Sequence, residues 1–316
     1  MVLEDRWLRE TYVDLLIEYA KNNSNIVIVE ADLMKAAGTG RFAKEYPDRT
    51  INVGVQEANM IGVAAGLSAM GMIPFTHTFT PFSTRRVCDQ VTLSVAYAGL
   101  NVKIMGSDPG VTAELNGGTH MSMEDVAIMR NIPGMVIYEP VDSAQLRQAF
   151  PQILEHNGPV YIRLLRRNAV KIFDENCEVK LGKGIVLREG SDVTILASGI
   201  MVAEALEAER KLKEMGIQAE VINIHTIKPL DRDLILQSAK KTKAIVTAEN
   251  HSIINGLGGA VAELLSENYP IPVQRVGVKD HFGEVGFTDF LKEKYGLTAK
   301  AIVEAARKAV AMKGIE

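Results

Sequence analysis

The sequence predicts an α/β protein of two domains, each built on a sheet flanked by helices. Three observations carry that prediction. Short β-branched runs alternate with helical patterns over nearly the whole chain. The runs are apolar on both alternating sets of positions, as strands covered on both faces by helices must be. The alternation breaks once, between Val170 and Ser191, where "ENCEVKLGKG" and "REGSD" are charged and glycine-containing. Residues 1–170 then form the first domain, 171–190 a linker and 191–316 the second, smaller domain.

In chain order the first strands are "NIVIVEAD", "TINVGV", "MIPFTHTF", "NVKIMGSD", "GMVIYEP" and "PVYIRLL". Apolar spacing predicts helices between them near Arg41–Tyr46, Ala58–Met70, Thr84–Ala98, Met123–Arg130 and Ser143–Glu155. The break holds a linker and a leading strand. The second series reads "VTILASG", a helix near Val202–Met215, "AEVINIH", a helix near Asp231–Ala239, "AIVTAEN", a helix near Leu257–Asn268 and "VQRVGV", with two helices to finish. No internal repeat or low-complexity segment interrupts the pattern.

The bulk numbers set bounds. The chain has 316 residues, 47% hydrophobic and 23% charged, with a formal net charge of −4. That balance gives no basic surface for nucleic acid. No apolar run reaches the roughly 18 residues of a membrane span. The start, "MVLEDRWLRE", is charged and amphipathic, without the apolar core of a signal peptide. The two cysteines lie apart, Cys88 in the first domain and Cys177 in the stretch that follows it; free thiols in a cytoplasmic protein are the expectation, although a pair is open to them.

The chemistry is scattered. No G-x-G-x-x-G opens a helix after a strand, no phosphate-binding G-x-x-x-x-G-K-[ST] occurs, and "NGLGGAVAE" has the wrong spacing for either. There is no nucleophile elbow and no zinc spacing. What remains are polar residues at strand ends, where ligands bind in open α/β sheets. Asp32 follows "IVIVEA", Glu57 follows "INVGVQ", His77 lies in "FTHTF", Asp108 follows "KIMGS" and His120 sits in the loop "NGGTH". Taken singly, an Asp there is a helix cap, a loop His is solvated, and Phe79 and Phe82 in "TFTPF" are core. Glu57 opens a helix of small residues, so it is either a dipole-stabilised helix acid or an acid that acts on something. Their joint placement along one sheet edge favours a site.

"GVQEANMIGVAAGLSAMGMIPFTHTFTPF" followed by "ELNGGTHMSMED" resembles the pyrimidine-binding domain of transketolases. "SGIMVAEALEAERKLKEMGIQAEVINIHTIKPLD" and "VTAENHSIINGLGGAVAELL" resemble the transketolase C-terminal domain. The resemblance covers nearly the whole chain. It implies a thiamine diphosphate enzyme that moves a two-carbon ketol unit from a ketose phosphate to an aldose phosphate, in pentose phosphate metabolism. The diphosphate domain with its Mg²⁺-binding Gly-Asp-Gly…Asn motif is missing from this sequence. The chain is therefore expected to be the C-terminal subunit of a split transketolase. An N-terminal partner would bring the diphosphate and Mg²⁺, and a homodimer of this chain would sit in a heterotetramer.

The resemblance also assigns roles. Glu57 would hydrogen-bond N1′ of the cofactor's pyrimidine through a proton that a dry pocket favours. Phe79 and Phe82 would flank that ring, and Asp32 would lie near it. His120 would bind donor oxygens. Arg166, and with less alignment behind it Arg6, would bind substrate phosphate. Four positions depart from the pattern. Asn116 stands in place of an Asp that reads a donor hydroxyl, and Ala36 in place of a phosphate-contacting Ser. Ser107 falls near a family His, and Arg85 replaces an aromatic residue beside the pyrimidine. The donor is then either an ordinary ketose phosphate or a modified sugar with another anionic end. A 2-oxo-acid dehydrogenase beta chain, a deoxyxylulose phosphate synthase half and a non-catalytic, partner-binding chain are the rival readings.

Overall fold

The structure is a computed structural model describing residues 2–313. Fourteen strands occur in chain order among these residues. They are β1 (Leu3–Trp7), β2 (Ile26–Glu30), β3 (Thr50–Asn52), β4 (Ile73–Phe79), β5 (Lys103–Ser107), β6 (Val136–Tyr138) and β7 (Val160–Leu164). Then come β8 (Asn168–Val170), β9 (Ile185–Arg188), β10 (Val193–Ala197), β11 (Ala219–Asn223), β12 (Thr226–Lys228), β13 (Ile245–Ser252) and β14 (Val273–Val278).

The first large sheet has the order β12-β6-β7-β5-β4-β2-β3. Its strands β6 to β3 run parallel, and β12 closes the edge antiparallel to β6. Every residue of β2, "IVIVE", is buried because helices cover both faces. Leu8–Asn22 and Ser143–Glu155 pack on one face, and Glu57–Ala69, Val91–Tyr97 and Asp125–Asn131 pack on the other. The second sheet has the order β14-β13-β10-β11-β9, parallel except for β9. Helices Met201–Glu214 and Ala299–Ala311 cover one face of it, and Arg232–Thr242 and Leu257–Asn268 the other.

Several details differ from the sequence reading. Helix Leu8–Asn22 is not among the predicted elements, because its charged start hides a buried face of Leu8, Tyr12, Leu15 and Leu16. The segment expected as one helix, Thr84–Ala98, is broken. Thr80–Ser83 turns first, Arg85–Val87 is 3₁₀, and Val91–Tyr97 is a wide π turn. Unwound helix of this kind accompanies functional sites. The stretch after Val170 follows directly on β8, which pairs antiparallel with β1. The leading strand is β9, on the antiparallel edge of the second sheet. Strand β12 comes from the second half of the chain but completes the first sheet, so the two halves share an edge.

Parallel strands carry the site. Their carboxyl ends lie side by side, with Phe79 in register with Ser107 and Ser107 with Leu164. Asp32, Phe79, Asp108 and Arg166 therefore leave adjacent strands at one edge.

Candidate active site

Glu57 is the first residue of helix Glu57–Ala69 and is 4% exposed. The helix begins one residue earlier than the apolar pattern suggests, which puts the carboxylate in the first turn, where the dipole favours it. A buried acid needs a partner, and Glu57 has one. Arg86 Nη1 donates to Glu57 Oε1 at 2.7 Å. The same guanidinium lies 3.8 Å from the centre of the Phe82 ring, so it is fixed by a charge on one side and a π face on the other.

Phe79 ends β4 and Phe82 sits in the turn after it. Their rings are 6.3 Å apart and nearly perpendicular. The His120 ring stands edge-on to both, 5.6 Å from Phe79 and 5.1 Å from Phe82. Thr119 Oγ1 is 2.9 Å from His120 Nδ1, a contact that leaves Nε2 free for another partner. Arg166 lies 5.7 Å from the Phe79 ring, and its Nε is 2.9 Å from Asp108 Oδ2. Asp108 is fully buried; burial pushes it up to about 6, against the pull of Arg166. Glu57, Phe79, Phe82, His120 and Arg166 are thus brought together through Arg86.

The remaining candidates stand apart from that group. Asp32 is exposed with φ 61° at the end of β2, bracketed by Asn52 at 3.1 and 3.3 Å. Asn116 is exposed at the end of Gly110–Asn116, four residues before His120. Arg6, in β1, is paired at 2.7 Å with Asp14 of helix Leu8–Asn22. His77 is a core histidine, bonded to Tyr12 at 3.0 Å and 3.3 Å from Glu30; burial holds it neutral, at about 3. Ser107 is buried, and its carbonyl accepts from Thr80. Arg85 reaches Glu124 at 2.7 Å, so it is Arg86 that stands beside Glu57. The sequence singles out Arg85 beside the pyrimidine and not Arg86; the 3₁₀ turn Arg85–Val87 sends the two side chains to different partners.

The second half of the chain braces the His120 loop. Asn250 of β13 receives Val111 N at 3.0 Å and donates to Pro109 O at 2.9 Å. Gly110 lies against Asn250 with φ +53°, and a Cβ there would collide with it. Glu114, itself at φ 48°, accepts from Thr288 N at 3.1 Å and Thr288 Oγ1 at 2.6 Å. Among the described residues no three His, Cys, Asp or Glu side chains cluster as a metal site. No helix there is long and apolar enough to cross a membrane. Cys88 and Cys177 are both free.

Residues 6–171 match the family described as transketolase, pyrimidine binding domain, and residues 182–302 match transketolase, C-terminal domain. The chain is 70% identical to the 6-deoxy-6-sulfo-D-fructose transketolase subunit SqwH of Clostridium sp. (strain MSTE9), over 96% of this chain and 94% of that one. It is 36% identical to an apulose-4-phosphate transketolase subunit of Phocaeicola vulgatus, over 94% of this chain and 96% of the other. A solved split gene transketolase, an inactive beta4 tetramer, superposes with a TM-score of 0.89 at 46% identity, covering 97% of this chain and 99% of that one. On these grounds the chain belongs to the transketolase family.

Proposed function

We propose that this chain is the pyrimidine-side subunit of a two-chain, thiamine diphosphate-dependent transketolase, and that its donor is a sulfonated ketose. One observation carries the reading. A buried carboxylate at a helix start is joined through Arg86 to a group of two phenylalanines and a histidine at the strand ends. That set fits an aminopyrimidine. Arg86 takes Glu57 Oε1 and leaves Oε2 for a ring nitrogen. When bound, the cofactor supplies the nucleophilic carbon and electron sink for ketol transfer.

This chain's residues handle placement and protons. Glu57 would hydrogen-bond N1′ of a bound pyrimidine, and the cofactor's exocyclic nitrogen would supply the proton acceptor. Phe79 and Phe82 hold the ring plane. His120 Nε2 hydrogen-bonds the donor's oxygens, and Arg166 faces its anionic end. Asp32 and Asn116 sit at the rim, where they would meet cofactor and sugar once the site is assembled. Arg6, paired outward with Asp14, would have to turn to reach a substrate.

The diphosphate and Mg²⁺ side belongs to an N-terminal partner subunit, in a heterotetramer around a dimer of this chain, in the cytoplasm. The exposed face of the helix that Glu57 opens supports this. Val55, just before the helix, is 70% exposed, and the outward positions of Glu57–Ala69 include Ala58, Gly62, Gly66 and Ala69, which allow close helix packing. The sulfonated donor follows from the SqwH relative and fits the altered positions Ala36, Ser107 and Asn116, which fall on the sugar and anion side.

The test is ketol transfer by this chain mixed with its diphosphate-domain partner, thiamine diphosphate and Mg²⁺, across sulfonated and phosphorylated ketoses. Activity is expected only with both chains, and fastest with 6-deoxy-6-sulfofructose. Turnover by this chain alone would refute the divided site. In the complex, Glu57→Ala should lower kcat about 10²–10⁴-fold with the fold intact by circular dichroism. Near-normal turnover would remove Glu57 from its role.

A further inference from the structure

The anion side of the site holds a second guanidinium that sequence spacing does not single out. Arg9 lies in the first turn of helix Leu8–Asn22, and its side chain runs along Gly38, whose φ is +82°. Its guanidinium stacks 4.3 Å from the centre of the Trp7 ring, and Nη1 donates to the carbonyl of Ala36. Arg9 Nε is buried and has no partner among the described residues. Burial first, and then the charge of Arg166, pull Arg9 below its ordinary value, while Asp108 pulls the other way. Leu8 N donates to the carbonyl of Arg167 at 2.9 Å, which sets Arg9 beside the strand end that carries Arg166 and its partner Asp108, although the three come from a helix and two different strand ends.

We propose that Arg9 is a specificity-determining residue of the donor site, seating with Arg166 the tetrahedral oxyanion at the far end of the ketose. The inference rests on the transketolase reading of this edge. Three features support it. Both guanidiniums are immobilised, Arg9 by Trp7 and Ala36 and Arg166 by Asp108 and Phe79, so little freedom is lost on binding. Each is fixed through a single nitrogen, which leaves N–H groups free to fork onto an oxyanion. And the charges do not cancel: Arg9 and Arg166 stand with the one buried carboxylate of Asp108, while the third arginine there, Arg167, is paired with Glu114 at 2.7 Å. Glu10 also reaches Arg9, but it is exposed and caps the Trp7 amide at 3.2 Å, so water screens it.

The surplus of one positive charge matches a group carrying one negative charge. A sulfonate is such a group, whereas a phosphate monoester carries about −1.5 to −2 near neutral pH. The Ala36 side chain adds no donor for the extra charge. The shared chemistry is a tetrahedral oxyanion, and the charge balance favours the sulfonate.

The experiment uses the reconstituted complex with wild-type chain, Arg9→Gln and Arg9→Lys. The donors are 6-deoxy-6-sulfofructose, fructose 6-phosphate and uncharged fructose. Glycolaldehyde is the acceptor, so the donor carries the only anion. In Arg9→Gln the ratio of kcat/KM for the sulfonated donor to that for fructose should fall about 10–100-fold, carried by KM. Arg9→Lys should recover part of it, because it restores charge without the planar fork. An unchanged ratio in both variants, whether activity is kept or lost equally on every donor, would overturn the proposal. A wild-type preference for fructose 6-phosphate over the sulfonated sugar would overturn the charge matching. Wild-type complex that transfers from no ketose would instead refute the transketolase reading, a result distinct from any effect of Arg9.

Discussion

Two groups of arginines and carboxylates in this molecule look alike on paper and do opposite things. One surrounds Arg163, fully buried where the two sheets meet. Its Nε reaches Asp125 at 2.7 Å, Nη1 reaches Glu139 at 2.5 Å and Nη2 donates to the carbonyl of Asn250 at 2.6 Å. Tyr161 adds a bond to Asp125 at 2.8 Å. Every guanidinium nitrogen is engaged, and the cluster draws on β7, β13 and the helix Asp125–Asn131. The other group lines the strand-end edge, where Arg86 holds Glu57, and Arg166 holds Asp108, each through one nitrogen. A sealed cluster whose guanidinium has no nitrogen to spare fixes architecture. An open cluster with donors to spare is available to bind.

The largest break in that comparison comes from Arg163→Met. It leaves Asp125 and Glu139 buried without a counter-charge and should cost about 3–5 kcal/mol, read from the urea midpoint. A loss comparable to that of an edge arginine would mean the Arg163 cluster is not the joint it looks like.

A sharper test lies beneath the edge, where Glu30 and His77 are sealed but uncharged. Burial raises Glu30 from 4.5 to about 8, so the folded protein holds a proton that the unfolded chain has released, and stability falls as pH rises through that range. His77, lowered by burial from 6.5 to about 3, acts the other way: stability is lost as pH falls through its range. The two slopes oppose each other between 4.5 and 6.5, and Glu30 acts alone from there to about 8. Thermal melts of Glu30→Gln should therefore decline less than wild type between those upper limits. Parallel slopes would assign the decline to another group.

The smallest effect is expected at the edge itself. Arg86 is half-exposed, but removing it leaves the buried Glu57 carboxylate to the helix dipole alone, so Arg86→Ala should cost about 1–2 kcal/mol, less than Arg163→Met, in the same urea measurement. A loss of several kcal/mol would place Arg86 with the structural arginines.

Much of the fold is legible in the sequence for a simple reason. Strands such as β2 and β10 are buried at every position, and their nearly unbroken apolar runs have few explanations besides a strand covered on both faces. Helix Ser143–Glu155 is announced by Asp142, whose side chain accepts from Gln145 N at 2.9 Å. Glu57, Phe79, Phe82 and His120 are legible because each follows or ends a recognisable strand, opens a helix or sits in a polar loop. Arg9 and Arg86 are not. On a helix or turn an arginine looks the same whether it faces water or a ligand, and the partner of Arg86 is 29 residues away. The bracing of the His120 loop is equally invisible, since Asn250 lies 139 residues from Val111.

By itself, then, the sequence determined the alternation of strands and helices and the residues at the strand ends, because these are local matters of period, burial and turn chemistry. Tertiary structure alone decided which charges meet. It set Arg86 on Glu57, tied Leu8 to Arg167 and so brought Arg9 toward Arg166, carried β12 back onto the first sheet and rested the His120 loop on Asn250 and Thr288. Those contacts depend on where distant segments come to rest, and no local pattern of residues encodes that.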